Sequence, residues 1–420
     1  MSKQTFRTDR FVIYGIREEF EKWYHSVPRL DEKIGIIIDP RVYDRVAYGR
    51  KVFSADILRS ELLDDFYIVV FDENVEYVRE VLGSEYGIEK KRIISANTWI
   101  AGLLEDGEVL IQPERVRIEA STLCQLNCLD CFMRKYNYGT LGTGTLKAMD
   151  FERFLITNPF IRRVELSNSG EPFLNPELCE ILQLAYKMGV QVDFANGANF
   201  NTVSEEVLDA VVKYKVNSIT VSIDGASNEI YSIYRRNGNY DTVISNIRKI
   251  NELKKQYQSD KPRMKWQYIL MQHNECDIGK AKEMAVSLDM EIEYKLDWGG
   301  HFMPKDPDKV ASVTGLCFFN RQDQQKKTQK PYLSLCQQMV FSPQLNWDGR
   351  LLGCSSAFRD DWGINCFNDY NYSLDLTVND ELYKNAIISH LMGEEMLGEY
   401  PCTMCGTYIN TRKGEYKRTI

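Results

Sequence analysis

Six short apolar runs set between amphipathic stretches constrain this chain more than any other feature of its sequence. They fall at 116–120, 163–166, 190–194, 218–223, 265–271 and 291–296. The segments 151–155, 176–188, 205–214, 240–256 and 278–288 between them carry helical spacing. Alternating strand and helix calls for parallel strands joined by crossover helices, so the expected core is α/β, a partial (β/α)6 TIM-like barrel. Such barrels gather their chemistry at the C-terminal ends of the strands. The cysteine loop 124–131, Ser169-Gly170-Glu171-Pro172, Asn196-Gly197 and Ser222-Ile223-Asp224-Gly225 all fall there.

A second alternation precedes the first. Between residues 11 and 100, FVIYG, IGIIID, YIVVFD and RIISA alternate with EEFEKWYHSV, ILRSELL and VEYVREVLG, the order of a small Rossmann-like α/β domain. Its first turn offers Gly15 where a dinucleotide fingerprint has three glycines, so the backbone lacks the close approach that a pyrophosphate needs. Asp39 nevertheless stands where a ribose-binding acid would. From about residue 305 the pattern gives way to long loops with scattered cysteines and glycines, a composition that metal commonly staples. The expected division is an accessory α/β domain at 1–112, the barrel at 113–305 and a cluster-binding domain at 306–420. A chain of 420 residues and 48.8 kDa is too long for one core.

The net charge of −8 offers no general attraction to phosphate backbones, so no nucleic-acid partner is expected. Lys90-Lys91-Arg92 and Lys326-Lys327 read as solvated surface. No run approaches eighteen apolar residues and the start, MSKQTFRTDR, lacks a secretory core, so the expectation is a cytoplasmic protein with no membrane partner. In that reducing compartment eleven cysteines read as metal ligands before disulfides. Seven are patterned, while Cys179, Cys276, Cys317 and Cys366 read by default as small buried hydrophobes.

Cys124, Cys128 and Cys131 form C-x3-C-x2-C. A [4Fe-4S] cube takes thiolates at its iron corners, so three close cysteines leave one iron open to another ligand. With this triplet after the first strand and Gly170-Glu171-Pro172 after the second, the stretch 113–300 resembles the radical S-adenosylmethionine superfamily. The resemblance implies that Cys124, Cys128 and Cys131 hold a [4Fe-4S] cluster whose open iron chelates S-adenosylmethionine. It implies that Gly170, Glu171 and Pro172 receive the methionyl ammonium and that Ser222 meets the carboxylate or ribose, with Asn196 and Arg235 as further contacts. Asp130 stands where the family carries a bulky apolar residue, which moves the expected packing against adenine to Phe132.

The C-terminal region resembles the SPASM/twitch extension of that superfamily. Cys336, then Gly349-x4-Cys354, then Cys402-x2-Cys405 fit the shorter twitch form, in which four cysteines surround one auxiliary [4Fe-4S] cluster. The spacing Cys336-x17-Cys354 resembles the aminocyclitol dehydrogenase branch. Four thiolates also suit zinc, which stands as the alternative. The activity implied is reductive cleavage of S-adenosylmethionine to a 5'-deoxyadenosyl radical, with a flavodoxin or ferredoxin as reductant. That radical takes hydrogen from a small sugar- or cyclitol-like substrate, and the auxiliary cluster accepts an electron; no catalytic base is assigned. The alternatives are a peptide maturase, a redox-neutral epimerase with Cys317 or Cys366 as hydrogen donor, and a non-catalytic zinc protein. Maturases of this kind usually carry a winged-helix leader-binding domain, where this chain reads α/β.

Overall fold

The computed structural model describes residues 11–60, 63, 66–72, 74–135, 141–297, 304–318, 320–329, 336–355, 361–367, 373–396 and 401–413. They form two compact units, Met1–Pro113 with Val378–Leu397 and Glu114–Thr377 with Gly398–Thr419.

The first unit holds β1 (Phe11–Tyr14), β2 (Ile36–Ile38), β3 (Arg45–Ala47), β4 (Arg50–Phe53), β5 (Tyr67–Val70) and β6 (Ile93–Ser95), in the order β3-β4-β2-β1-β5-β6. All pairs are parallel except the β3–β4 hairpin. The apolar run Phe11-Val12-Ile13 is fully buried, as a central parallel strand requires. The hairpin was not expected, because Arg45, Arg50 and Lys51 break the apolar pattern, and ILRSELL contributes a 3₁₀ turn, Ala55–Arg59, in place of a helix. Asp39 is committed to its own loops: its carboxylate accepts the N–H groups of Ile16, Arg41 and Val42 at 3.0, 2.9 and 3.2 Å. Glu18, Glu19 and Glu21 open the first helix, Glu18–Ser26, and disfavour an anion at its N-terminus. Helix Glu381–Met392, late in the chain, packs on Ala96–Glu105 within this unit.

The second unit is organised by an eight-stranded sheet. It contains β7 (Arg115–Ile118), β8 (Arg163–Glu165), β9 (Gln191–Ala198), β10 (Ser218–Ser222), β11 (Arg263–Leu270), β12 (Met290–Leu296), β13 (Gln344–Leu345) and β14 (Leu351–Gly353), in the order β12-β11-β10-β9-β8-β7-β13-β14. Strands β7 to β12 run parallel in sequence order with helices between them, the α/β arrangement expected of a partial barrel. Strand β13 then adds in parallel to the other edge of β7, pairing Gln344 with Arg117 and Leu345 with Ile118. One strand therefore serves both the barrel and the later cysteine region.

Past residue 305 the expectation of long loops is corrected by short helices: Pro307–Thr314, Arg321–Thr328, Cys336–Phe341, Leu374–Val378 and Gly406–Arg412. Capping explains two of them, since Asp306 accepts the Lys309 N–H and Asn320 accepts that of Asp323. No helix among the described residues is long and apolar enough to cross a membrane.

Candidate functional site

The chain leaves β7 through Ser121 and Thr122 into the cysteine loop, which is pinned by backbone bonds to three other segments. The N–H of Thr122 donates to Gly144 O (3.0 Å), that of Asn127 to Arg236 O (2.9 Å) and that of Leu129 to Tyr234 O (3.3 Å). Cys124, Cys128 and Cys131 are free thiols, partly buried. Burial pushes Cys124 up to about 12, and Glu171, Cys128 and Cys131 add to the shift. Burial raises Cys128 too, against the pull of the Arg235 cation. Such thiols stay protonated until a metal takes the proton's place. Two sulfurs already face donors: Asn199 Nδ2 lies 3.8 Å from Cys124 Sγ, and Arg235 Nη1 lies 3.6 Å from Cys128 Sγ.

Gly170-Glu171-Pro172 sits against this loop, with the Glu171 N–H donating to Leu123 O at 2.8 Å. A Cβ on Gly170 would lie 2.6 Å from Thr122 C and 2.7 Å from Thr122 Cα, so the approach requires glycine. Pro172 opens the 3₁₀ turn Pro172–Leu174, where a missing N–H costs nothing. The Glu171 carboxylate is buried and faces inward: it accepts the N–H of Phe173 at 3.3 Å and that of Asn199 at 2.7 Å. Burial pushes it up to about 7 against those bonds. Asn199 escaped the sequence reading, yet it links Glu171 to Cys124 and to the Gln125 side chain.

The other expected contacts spread along the strand ends. Ser222 closes β10 and its Oγ accepts Gln267 Nε2 at 3.3 Å. A Cβ on Gly197 would meet that Oγ at 2.5 Å, so glycine keeps the space beside it clear. Arg235 is locked to Asp224 through Nε (2.7 Å) and Nη2 (2.5 Å). Burial opposes the Arg235 cation, but Asp224 and Cys128 outweigh it and raise its pKa well above the ordinary value. Asp224 is a buried counter-ion that also accepts the Ile269 N–H. Asn196 faces β7 and β8, accepting Arg117 Nη2 at 3.2 Å and donating to Asn168 at 2.9 Å. Phe132 begins a short helix, and its side chain lies outside the described residues.

The later cysteines lie near enough to influence one another electrostatically. Burial raises Cys336 and Cys402; Cys336 is further influenced by Cys354 and Cys405, and Cys402 by Cys354, Cys336 and Cys405. No three His, Cys, Asp or Glu side chains among the described residues close on a single ion. A cube instead spreads its thiolates over separate irons. Of the unpatterned thiols, Cys366 is buried beside Thr377, while Cys276 and Cys317 are exposed and Cys179 is partly buried. Arg117 and Glu119 on the β7 line were also missed. The signal was present in Arg115-Val116-Arg117-Ile118-Glu119, where charge recurs every second residue inside a strand.

Residues 118–261 match the radical SAM superfamily, so this stretch of the chain is a radical SAM domain. Among solved structures it is similar to SuiB of Streptococcus suis bound to S-adenosylmethionine, with 13% identity and a TM-score of 0.53 over 82% of this chain and 87% of that one. SuiB bound to the precursor peptide SuiA gives 14% identity and a TM-score of 0.51 over 77% and 79%. BtrN in complex with AdoMet and 2-DOIA gives 12% identity and a TM-score of 0.32 over 73% and 88%. The SuiB likeness is one of fold. No curated protein sequence matches the chain.

Proposed function

We propose that this protein is a radical SAM oxidoreductase with two iron-sulfur centres, one held by Cys124, Cys128 and Cys131 and the other by Cys336, Cys354, Cys402 and Cys405. The observation that carries this reading is the separation of the seven cysteines into a group of three and a group of four within one unit, both tied to β7. The donor set fits: three thiols leave a cube one open corner, and N–H groups of Asn199 and Arg235 face two of the sulfurs. When bound, the first cluster with S-adenosylmethionine supplies a 5'-deoxyadenosyl radical that abstracts hydrogen. This chain's residues orient that chemistry. Glu171 fixes Asn199, Arg235 braces Cys128, and Gly197 with Ser222 leaves a polar space for the methionyl or ribose groups. A centre held by Cys336, Cys354, Cys402 and Cys405 would have no open iron and would supply an electron acceptor for an overall oxidation.

The substrate we assign is a small sugar- or cyclitol-like alcohol, because the N-terminal unit is a mostly parallel α/β sheet and not a winged helix. The similarity to SuiB, whose complex with SuiA holds a peptide, favours a second reading in which a peptide is oxidised. Anaerobic purification with metal analysis tests the centres: about eight irons per chain are expected, and zinc with little iron overturns the proposal. Incubation with S-adenosylmethionine and dithionite should yield 5'-deoxyadenosine from wild type and none from Cys124→Ala. A cysteine donor for the epimerase alternative is excluded if Cys317→Ala with Cys366→Ala leaves turnover intact.

A further inference from the structure

We propose that Arg117 is a positioning residue that raises the electron affinity of the centre held by Cys336, Cys354, Cys402 and Cys405, an inference that rests on the two-centre reading above. Arg117 lies on β7, the strand shared by the barrel and the β13–β14 hairpin. On the hairpin side its Nη1 donates to Ser355 Oγ at 3.3 Å, one residue past Cys354. Ser355 in turn donates through its N–H (2.9 Å) and its hydroxyl (2.7 Å) to Gln338 Oε1, two residues past Cys336. On the barrel side Nη1 also donates to Asn168 Oδ1 (3.3 Å) and Nη2 to Asn196 Oδ1 (3.2 Å). The guanidinium therefore bridges the collar of the second cysteine group and the neighbouring ends of β8 and β9.

Its charge is left standing. Two other arginines near the strand ends meet carboxylates: Arg163 pairs with Asp193, and Arg235 with Asp224. Among the described residues the acceptors of Arg117 are all neutral. Glu165 and Glu119 act on it only from further away, and their oxygens are taken by Ser167, Ala195, Ser169 and Gln344. A guanidinium does not relieve this by losing its proton. A partly buried cation beside a centre that gains an electron stabilises the reduced form, and the reduced local dielectric strengthens the effect. The assigned function calls for this, because the second centre must draw an electron from the substrate radical.

The test is an EPR-monitored redox titration of both centres in the anaerobically loaded full chain. Arg117→Gln should lower the midpoint of the second centre and leave that of the first within error, while Arg117→Lys, which keeps the charge, should stay near wild type. Asn168→Asp provides an independent check that retains Arg117: a carboxylate at this position neutralises the guanidinium in place and should shift the second midpoint in the same direction. Equal shifts in Gln and Lys variants, or none in Gln and Asp variants that carry full iron, overturn the role of Arg117 alone. About four irons with one EPR signal in wild type overturns the two-centre reading and this role with it.

Discussion

Gly170→Ala tests whether the contact between the Gly-Glu-Pro segment and the cysteine loop holds the first site together. An added Cβ would lie 2.6 Å from Thr122 C and 2.7 Å from Thr122 Cα, and nearer still to Ser121 O. Ordinary contact begins near 3.4 Å, so 0.7 to 0.8 Å must open at Thr122 alone, by subtraction of those distances. Every clashing atom is backbone, so no rotamer change relieves it. Both sides are anchored, Thr122 by Gly144 and Leu123 by the Glu171 N–H, so strain passes to Cys124 or to Glu171. Overpacking of this kind costs about 1–3 kcal/mol. A displacement approaching 1 Å at a reacting site costs on the order of 10²-fold in rate. The assays are iron content, the EPR signal of the first centre and 5'-deoxyadenosine formation without substrate. Gly279→Ala is the control: it lies in helix Ile278–Ser287 with nothing within 4 Å, and should stabilise by about 0.5–1 kcal/mol. Wild-type iron, rate and unfolding midpoint in Gly170→Ala would refute the reasoning.

Arg235→Met strands the buried Asp224 carboxylate and should lower stability by about 3–5 kcal/mol, read as a drop in the urea midpoint that adding Asp224→Asn partly restores. Burial raises Glu119 from 4.5 to about 7 against donors on Ser169 and Gln344. The folded state therefore holds a proton the unfolded chain has lost, and stability falls as pH rises from 4.5 to 7. At about 1.36 kcal/mol per pH unit over that 2.5-unit interval, wild type should lose up to roughly 3 kcal/mol relative to Glu119→Gln, with parallel pH curves as the contrary result. Cys354→Ala should drop iron from about eight to about four per chain while 5'-deoxyadenosine formation without substrate persists, and loss of both would place the later cysteines in the first centre's assembly.

The parts of this molecule legible in the sequence are those whose signal is local. Thiols three and four residues apart announce a shared ligand, and apolar runs between helical stretches announce β7 to β12, because both depend on neighbours in the chain. Asn199 and Arg117 were missed because their roles are set by partners far away: Glu171 and Cys124 for the one, Ser355 and Asn168 for the other. Nothing near Asn199 in sequence distinguishes it from a loop asparagine. The β7 line is different, since a strand that alternates arginine with valine and isoleucine and ends in glutamate must turn its charges inward if it sits mid-sheet. Pairing with β8 on one side and β13 on the other puts it there. Buried charge at that position is costly unless each group is answered, and the answers come from strand-end amides and side chains: Ser169 and Gln344 for Glu119, and Asn168, Asn196 and Ser355 for Arg117. Loss of the Arg117 charge should therefore be felt at the second cysteine group, whereas substitutions on β10 or β11 should disturb only the first.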